Sequence, residues 1–382
     1  MEEIGLYIHI PFCKSKCRYC DFSSYPVDDA GIHLSYILKV IHELRAKRPL
    51  FGPLCAPPVN TVYIGGGTPS LLDAGLITEL LDAVYSSYQV ADDAEITIEV
   101  NPGTVDADKF LRYRAAGINR VSIGIQSFDA GILQFLGRIH STPDTERCVA
   151  EAQMAGFDNI NFDLIFGIPG QTLSCWEKDL EKAVSMSPTH ISFYSLKIEE
   201  GTPLFTDFTN EAFHEVDEAL DRHMYHTAKE YLSAHGLLHY EISNCARPGF
   251  ESRHNLKYWS MEPYAGFGLS AHSYFCGLRC SNTSSLTKYL TAEDISEMTE
   301  VVHENTLSDN MSEFIFLGLR RTSGIDIPCF NARFEKDFWE LFGKETESLI
   351  ERGLLEHCGG TLRLTHLGLD LANSVFCEYV FL

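Results

Sequence analysis

Over the N-terminal half of the chain, short apolar runs alternate with amphipathic stretches. The runs predict strands at Gly5–Ile10, Val59–Ile64, Ala94–Val100, Asn119–Ile125, Asn159–Phe166 and His190–Leu196. Between them, apolar residues recur at helical spacing over Ile32–Lys47, Asp73–Ser87, Asp106–Ala116, Asp129–Leu136, Pro143–Ala155 and Ser174–Ser185. Asp106 and Asp129 stand where helix N-caps are expected, and Gly117 and Gly156 where helices should stop. Strand–helix alternation implies parallel strands joined by helical crossovers, hence an α/β fold. Six units point to a partial (β/α)6, TIM-like barrel, with a doubly wound open sheet as the competing architecture. The conspicuous polar residues fall at or just after the C-terminal ends of the predicted strands, which favours the barrel.

The pattern changes further along. A helix is predicted over Glu215–His235, followed by aromatic, loop-rich sequence. In the tail, a helix over Lys344–Arg352 leads into Gly353–Glu356, then Gly359-Gly360, then Leu362–Thr365 and another helix. Helix, strand, Gly-Gly turn, strand is the pattern of a winged helix. The expected organisation is residues 1–240 as the barrel, 241–305 as a loop-rich linking region, and 306–382 as a smaller α+β domain resembling a winged helix.

Composition narrows the function. The chain has 382 residues, 45% of them apolar, and a formal net charge of −23. Phosphate backbones select basic surfaces, so a nucleic-acid binder is disfavoured, and the tail, lacking a basic stripe, reads as an interaction or lid domain. The N-terminus has no signal-peptide pattern and no run approaches the length of a membrane span, so a cytoplasmic protein is expected. The 12 cysteines then read as thiols in a reducing compartment.

Directly after the first predicted strand, Cys13, Cys17 and Cys20 follow a C-x3-C-x2-C spacing. Three thiolates can hold three irons of a cubane cluster and leave the fourth iron open, as a chemistry site needs. Unpaired thiols and a zinc site are the alternatives, but zinc knuckles favour C-x2-C pairs and need a fourth ligand. The loop resembles that of the radical S-adenosylmethionine (SAM) superfamily. That resemblance implies a [4Fe-4S] cluster whose open iron is chelated by SAM, which an electron from the cluster cleaves to a 5′-deoxyadenosyl radical and methionine.

The other strand ends agree. Gly65–Pro69 is a Gly-rich turn that lacks the ending of a phosphate loop. Glu99, Gln126 and Asp163 lie in or at the ends of three strands, where carboxylates among apolar neighbours require partners. Together they suggest a polar ring at one barrel mouth.

The motifs Tyr7–Cys13, Gly65–Pro69, Ile123–Ser127, Asp163–Gln171 and Glu200–Pro203 resemble the oxygen-independent coproporphyrinogen III oxidase family and its HemW haem-chaperone branch. The similarity runs from Gly5 to about Ala271, with a family-like tail. It implies that Tyr7, Gly66, Gly67, Thr68, Glu99, Gln126, Arg138 and Asp163 contact SAM, with Tyr19 packed beside it. The oxidases carry a further cysteine where this chain has Phe22, and an N-terminal extension where only six residues precede Tyr7. The chaperone branch carries a His-Asn-x-x-Tyr-Trp motif, matched here by His254–Trp259. These features imply a haem chaperone in which His254, Tyr258 and Trp259 form the haem site. The implied partners are haem and recipient haem proteins, those of the respiratory chain among them, with a homodimer as one implied assembly. Porphyrinogen oxidation is the rival activity, and tRNA modification a more distant one. Cys276 and Cys280 form a lone C-x3-C and read as incidental.

Overall fold

The computed structural model describes residues 3–51 and 57–380. Six strands lie side by side in chain order, all parallel: β1 (Ile4–Ile10), β2 (Val59–Gly66), β3 (Val90–Val100), β4 (Arg120–Gln126), β5 (Asn159–Phe166) and β6 (His190–Ser195). Helices α1 (Ala30–Lys47), α2 (Ala74–Ser87), α3 (Ala107–Ala115), α4 (Ala130–Leu136), α5 (Thr142–Met154) and α6 (Leu173–Ser185) fill the crossovers. Unbroken sequential order is that of a barrel wall; a doubly wound sheet would reverse direction at a switch point. Asp106 and Asp129 cap α3 and α4 through backbone N–H groups of Lys109 and of Gly131 and Ile132.

The barrel does not close. On one side β6 pairs antiparallel with β8 (Asn244–Ala246), itself paired with β7 (Leu238–Glu241). On the other, β1 takes β9 (Tyr264–Phe267) in parallel, and β10 (His272–Phe275), β11 (Leu278–Asn282) and β12 (Thr299–Glu304) continue antiparallel. Residues 241–305 are therefore an extension of the barrel sheet, not a loop-rich linker. Strands this short show too few positions for alternation to stand out. They are anchored to α1 by Glu43, which is fully buried. Its carboxylate meets Lys47 at 2.6 Å and accepts from Gly268 N at 2.9 Å, Asn282 Nδ2 at 2.7 Å and the Tyr289 hydroxyl at 2.5 Å.

Further helices flank the sheet, among them α7 (Pro203–Thr209), α8 (Glu218–Ala234) and α9 (Arg253–Trp259). Trp176 of α6 is buried and donates from Nε1 to the Met224 carbonyl of α8 at 2.9 Å.

The C-terminal domain has its own core, built on Ile315, Phe330, Phe338, Leu349 and Leu362. Helices Leu307–Gly318, Ile327–Phe334 and Phe338–Glu351 surround a sheet of β13 (Ile325–Asp326), β14 (Leu355–Cys358) and β15 (Thr361–Leu364) in the order β13-β15-β14. This is the element order of a winged helix. The last of those helices starts six residues earlier than its apolar spacing predicts, because the Asp337 side chain caps it through Glu340 N at 3.0 Å. Backbone bonds Ile242 N to Arg320 O (3.1 Å) and Thr322 N to Tyr240 O (3.0 Å) join this domain to the barrel. The short helices His366–Asp370 and Ala372–Cys377 bring residues 369–374 to the barrel mouth.

Candidate functional site

The C-terminal ends of the parallel strands open into a cavity of about 1070 Å³. The loop after β1 forms one wall. Its base is stapled by Cys13 N to Tyr25 O (3.0 Å) and Tyr25 N to Pro11 O (2.7 Å), so the apolar strand hands on to a loop of fixed shape. Cys13, Cys17 and Cys20 are all free, half-buried and face the cavity. The Thr68 hydroxyl donates to Cys13 Sγ at 3.5 Å and Arg138 Nη1 to Cys17 Sγ at 3.6 Å. Burial pushes the Cys13 and Cys20 thiols up. Thiols that resist ionising in a dry site become thiolates when a metal supplies the countercharge. Three such donors with hydrogen-bond donors aimed at two of the sulfurs fit a cubane cluster with one open iron.

The turn after β2 lies against this loop. Gly66 has φ +112°, a conformation that disfavours any side chain, and a Cβ at Gly67 would stand 2.8 Å from Phe12 O and 2.9 Å from Ile10 O. Backbone is thereby packed on backbone, and the Gly66 N–H is free to donate to Glu99 Oε2 at 2.9 Å. The Tyr63 hydroxyl donates to the other oxygen at 2.9 Å. Burial, with the Asp163 carboxylate adding to it, raises Glu99 to about 7. Asp163, also raised by burial, accepts from the Ser122 hydroxyl at 2.8 Å and Asn161 Nδ2 at 3.0 Å.

Gln126 ends β4 at φ +64°, beside a register shift between β4 and β5. Its Oε1 is buried and has no partner. Strain and an unsatisfied polar atom at a strand end mark a ligand-holding position. Arg138 is held by Asn101 Oδ1 (2.6 Å) and the Gly124 carbonyl (2.7 Å), while its Nε lacks a partner. Tyr19 lines the cavity and packs against the apolar cluster of Ile132, Leu136, Ile165 and Ile168. Gly66, Gly67, Thr68, Glu99, Gln126, Arg138, Asp163 and Tyr19 thus share one cavity. Tyr7 lies behind it. Its ring stacks on Tyr63 at 6.2 Å and its hydroxyl bonds His9 Nδ1 at 3.0 Å.

The same cavity is lined, between barrel and C-terminal domain, by Phe193, Tyr194, Tyr225, Tyr258, Trp259 and Arg320. Its volume exceeds what one drug-sized ligand fills, roughly 300–1,000 Å³. Arg320 stacks over Trp259, 4.2 Å from the ring centre. Helix α9 brings Asn255, Tyr258 and Trp259 to this wall. His254 points the other way and is 1% exposed. Its Nδ1 bonds Thr61 Oγ1 at 2.8 Å and its Nε2 bonds the Tyr258 hydroxyl at 2.8 Å. Burial, with Lys257 and Arg120 nearby, lowers it to about 3. The three motif residues expected to act together are therefore divided: Tyr258 and Trp259 face the cavity, and both nitrogens of His254 are engaged behind them.

Several contributors are not evident from spacing. Asn101 bridges Thr68 Oγ1 (2.9 Å) and Arg138, so one amide couples the Gly turn to the residue that reaches Cys17. Buried Arg120 offsets the charge of Glu99 and Asp163. Tyr63 stands two residues before Gly65 on β2, so strand alternation was the signal that could have placed it inside the barrel.

Comparison with known proteins agrees with this geometry. Residues 7–183 match the radical SAM superfamily model, and residues 305–371 match the HemN C-terminal domain. Superfamily membership carries with it a [4Fe-4S] cluster and SAM. The chain is 36% identical over 377 residues to the Bacillus subtilis heme chaperone HemW, covering 98% of each chain. It is 40% identical to the Escherichia coli heme chaperone HemW, covering 98% of this chain and 97% of that one. The bovine radical S-adenosyl methionine domain-containing protein 1, mitochondrial, is 34% identical over 98% of this chain and 86% of its own. Among solved structures, the coproporphyrinogen III oxidase HemN from Escherichia coli superposes with a TM-score of 0.87 at 21% identity, over 99% of this chain and 90% of that one. That likeness establishes the common fold.

Proposed function

Given that the chain belongs to the HemW family of radical SAM proteins, we propose that it is a haem chaperone, binding haem beside a SAM-chelated [4Fe-4S] cluster and passing it to recipient haem proteins. The observation that carries the reading is the shared cavity: Tyr258 and Trp259 open onto the same space as Cys13, Cys17 and Cys20. In this reading the three cysteines hold the cluster, which supplies one-electron chemistry to SAM when both are bound. Gly66, Gly67 and Thr68 receive the methionine end of SAM, Glu99 its amino group, and Gln126, Arg138 and Asp163 complete the enclosure around Tyr19. Tyr7 acts one layer back, by fixing Tyr63.

The aromatic compartment receives the haem ring, with Tyr258 and Trp259 as its wall. A phenol oxygen is an established type of haem-iron ligand. Because His254 already uses both nitrogens, we assign the iron contact to Tyr258. His254 is then a positioning residue, its Nε2 bonded to the Tyr258 hydroxyl and fixing where that phenol stands in the cavity wall. Recipients include haem proteins of the respiratory chain, delivery takes place in the cytoplasm, and a homodimer is the proposed assembly.

The test is a haem titration of the anaerobically reconstituted protein, followed by transfer to an apo-haemoprotein. One haem bound per chain and its recovery in the acceptor support the reading. An absence of haem binding, with the cluster loaded, overturns it.

A further inference from the structure

Helix α8 and the tail meet through three side chains that neither the cysteine loop nor the aromatic compartment employs. His226 lies in the middle of α8. His366 and Asp370 begin and end the short helix His366–Asp370, four residues apart and so on one face of its turn. Each of the three offers one ligand atom, and these atoms lie within 4.8 Å of one another. His226 Nε2 faces both carboxylate oxygens of Asp370, at 2.9 and 3.1 Å. The His366 ring lies against that of His226, 4.0 Å between centroids and 14° between planes. His226 Nδ1 is buried with no partner.

We propose that His226, His366 and Asp370 bind one divalent cation of the zinc class, which staples the C-terminal domain to α8. Two imidazoles and one carboxylate are a donor set for such an ion, and a water completes four-coordination. Exposed His366 is free to turn its ring toward the ion. Among the described residues, Arg222 is the lysine or arginine in contact with the cluster, with Nη1 3.5 Å from Asp370. Asp221 also holds it, at Nη2 (2.5 Å) and Nε (3.1 Å), so Arg222 keeps a partner when the metal takes Asp370. Asp370 and Arg222 also line the cavity, so the staple sets how firmly the tail holds that wall.

The experiment is a Zn²⁺ titration by calorimetry of the cluster-loaded protein, freed of loose metal, with Co²⁺ as an optical reporter. The wild type should bind one ion outside the cysteine loop and show the visible bands of a nitrogen- and oxygen-ligated cobalt. His226→Gln and Asp370→Asn should each weaken binding by at least about tenfold while keeping the cluster absorption. Zinc should raise the thermal midpoint of the wild type and leave both variants unmoved. If His226→Gln does not fold, Asp370→Asn, on the half-exposed tail helix, decides alone. Equal zinc affinity in wild type and variant, or none in the wild type, overturns the site.

Discussion

The Nε2 of His254 lies 2.8 Å from the hydroxyl of Tyr258, with His254 behind the cavity wall and Tyr258 on its surface. A histidine placed in this way acts on a ligand through its neighbour. Tyr258→Phe should therefore abolish the charge-transfer band of phenolate-bound ferric haem while leaving ring binding to Trp259. His254→Ala should keep a weakened band and destabilise the fold by about 1–3 kcal/mol, because the Tyr258 hydroxyl and Thr61 lose a buried partner. Optical and resonance Raman spectra of the two variants separate the roles. Loss of the ligand signature in His254→Ala with its full retention in Tyr258→Phe would falsify the assignment.

Glu99 provides a pH dependence. Its carboxyl titrates at about 7 in the fold and in the ordinary carboxylate range in the unfolded chain. The protonated form is thus favoured by folding, and the stability this group contributes is full below the ordinary range and is lost as pH rises toward 7. A cationic SAM needs the ionised form, so SAM affinity should rise between roughly pH 6 and 8. In Glu99→Gln the affinity should be lower and flat over the same span. Calorimetric titration across that range checks both.

Arg138 reaches Cys17 Sγ, and Asn101 fixes Arg138. Reconstituted wild type should hold about four irons per chain. Cys17→Ala should lose the cluster absorption and SAM binding, yet retain its far-UV circular dichroism, because the loop lies outside the strand ladder. Arg138→Lys should load iron but bind SAM less tightly. Iron analysis alongside SAM titration distinguishes these outcomes.

Glu43 ties α1 to the sheet extension, and Glu43→Ala leaves Lys47 buried without its counter-ion. Breaking a buried pair from one side costs about 3–5 kcal/mol. Denaturant unfolding should register that loss, whereas Arg112→Ala, which removes an exposed pair with Asp108, should change stability by under about 1 kcal/mol.

Phe22, at the position where the family resemblance implies a cysteine in the oxidases, is 62% exposed at the cavity edge. No SAM-dependent conversion of coproporphyrinogen is expected under anaerobic, reducing conditions. Chromatographic detection of protoporphyrinogen would move the chain to the enzyme branch.

The periodic part of the molecule was legible in the chain alone. β5 spans Asn159–Phe166 as its apolar run predicts, and Cys13, Gly66 and Glu99 reach the cavity from positions at or just after strand ends, Asp163 from within β5. These are local signals: burial on both faces writes a continuous apolar run, and a ligand loop must follow the strand that aims it. Only the tertiary structure decided where residues 241–305 go, since strands of four and three residues pair with β1 and β6 through backbone bonds that leave little mark on side-chain choice. It also decided the roles within His254–Trp259. In a seven-residue helix, His254 and Tyr258 share a face, but which of the two meets the cavity depends on what lies beneath. Here Thr61 of β2, bonded to the ring, and the Glu95 carboxylate, which accepts from His254 N, draw the histidine inward. The pairing of His226 with His366 and Asp370 belongs to the same class, because a contact between residues that lie far apart in the chain has no period for a sequence to display.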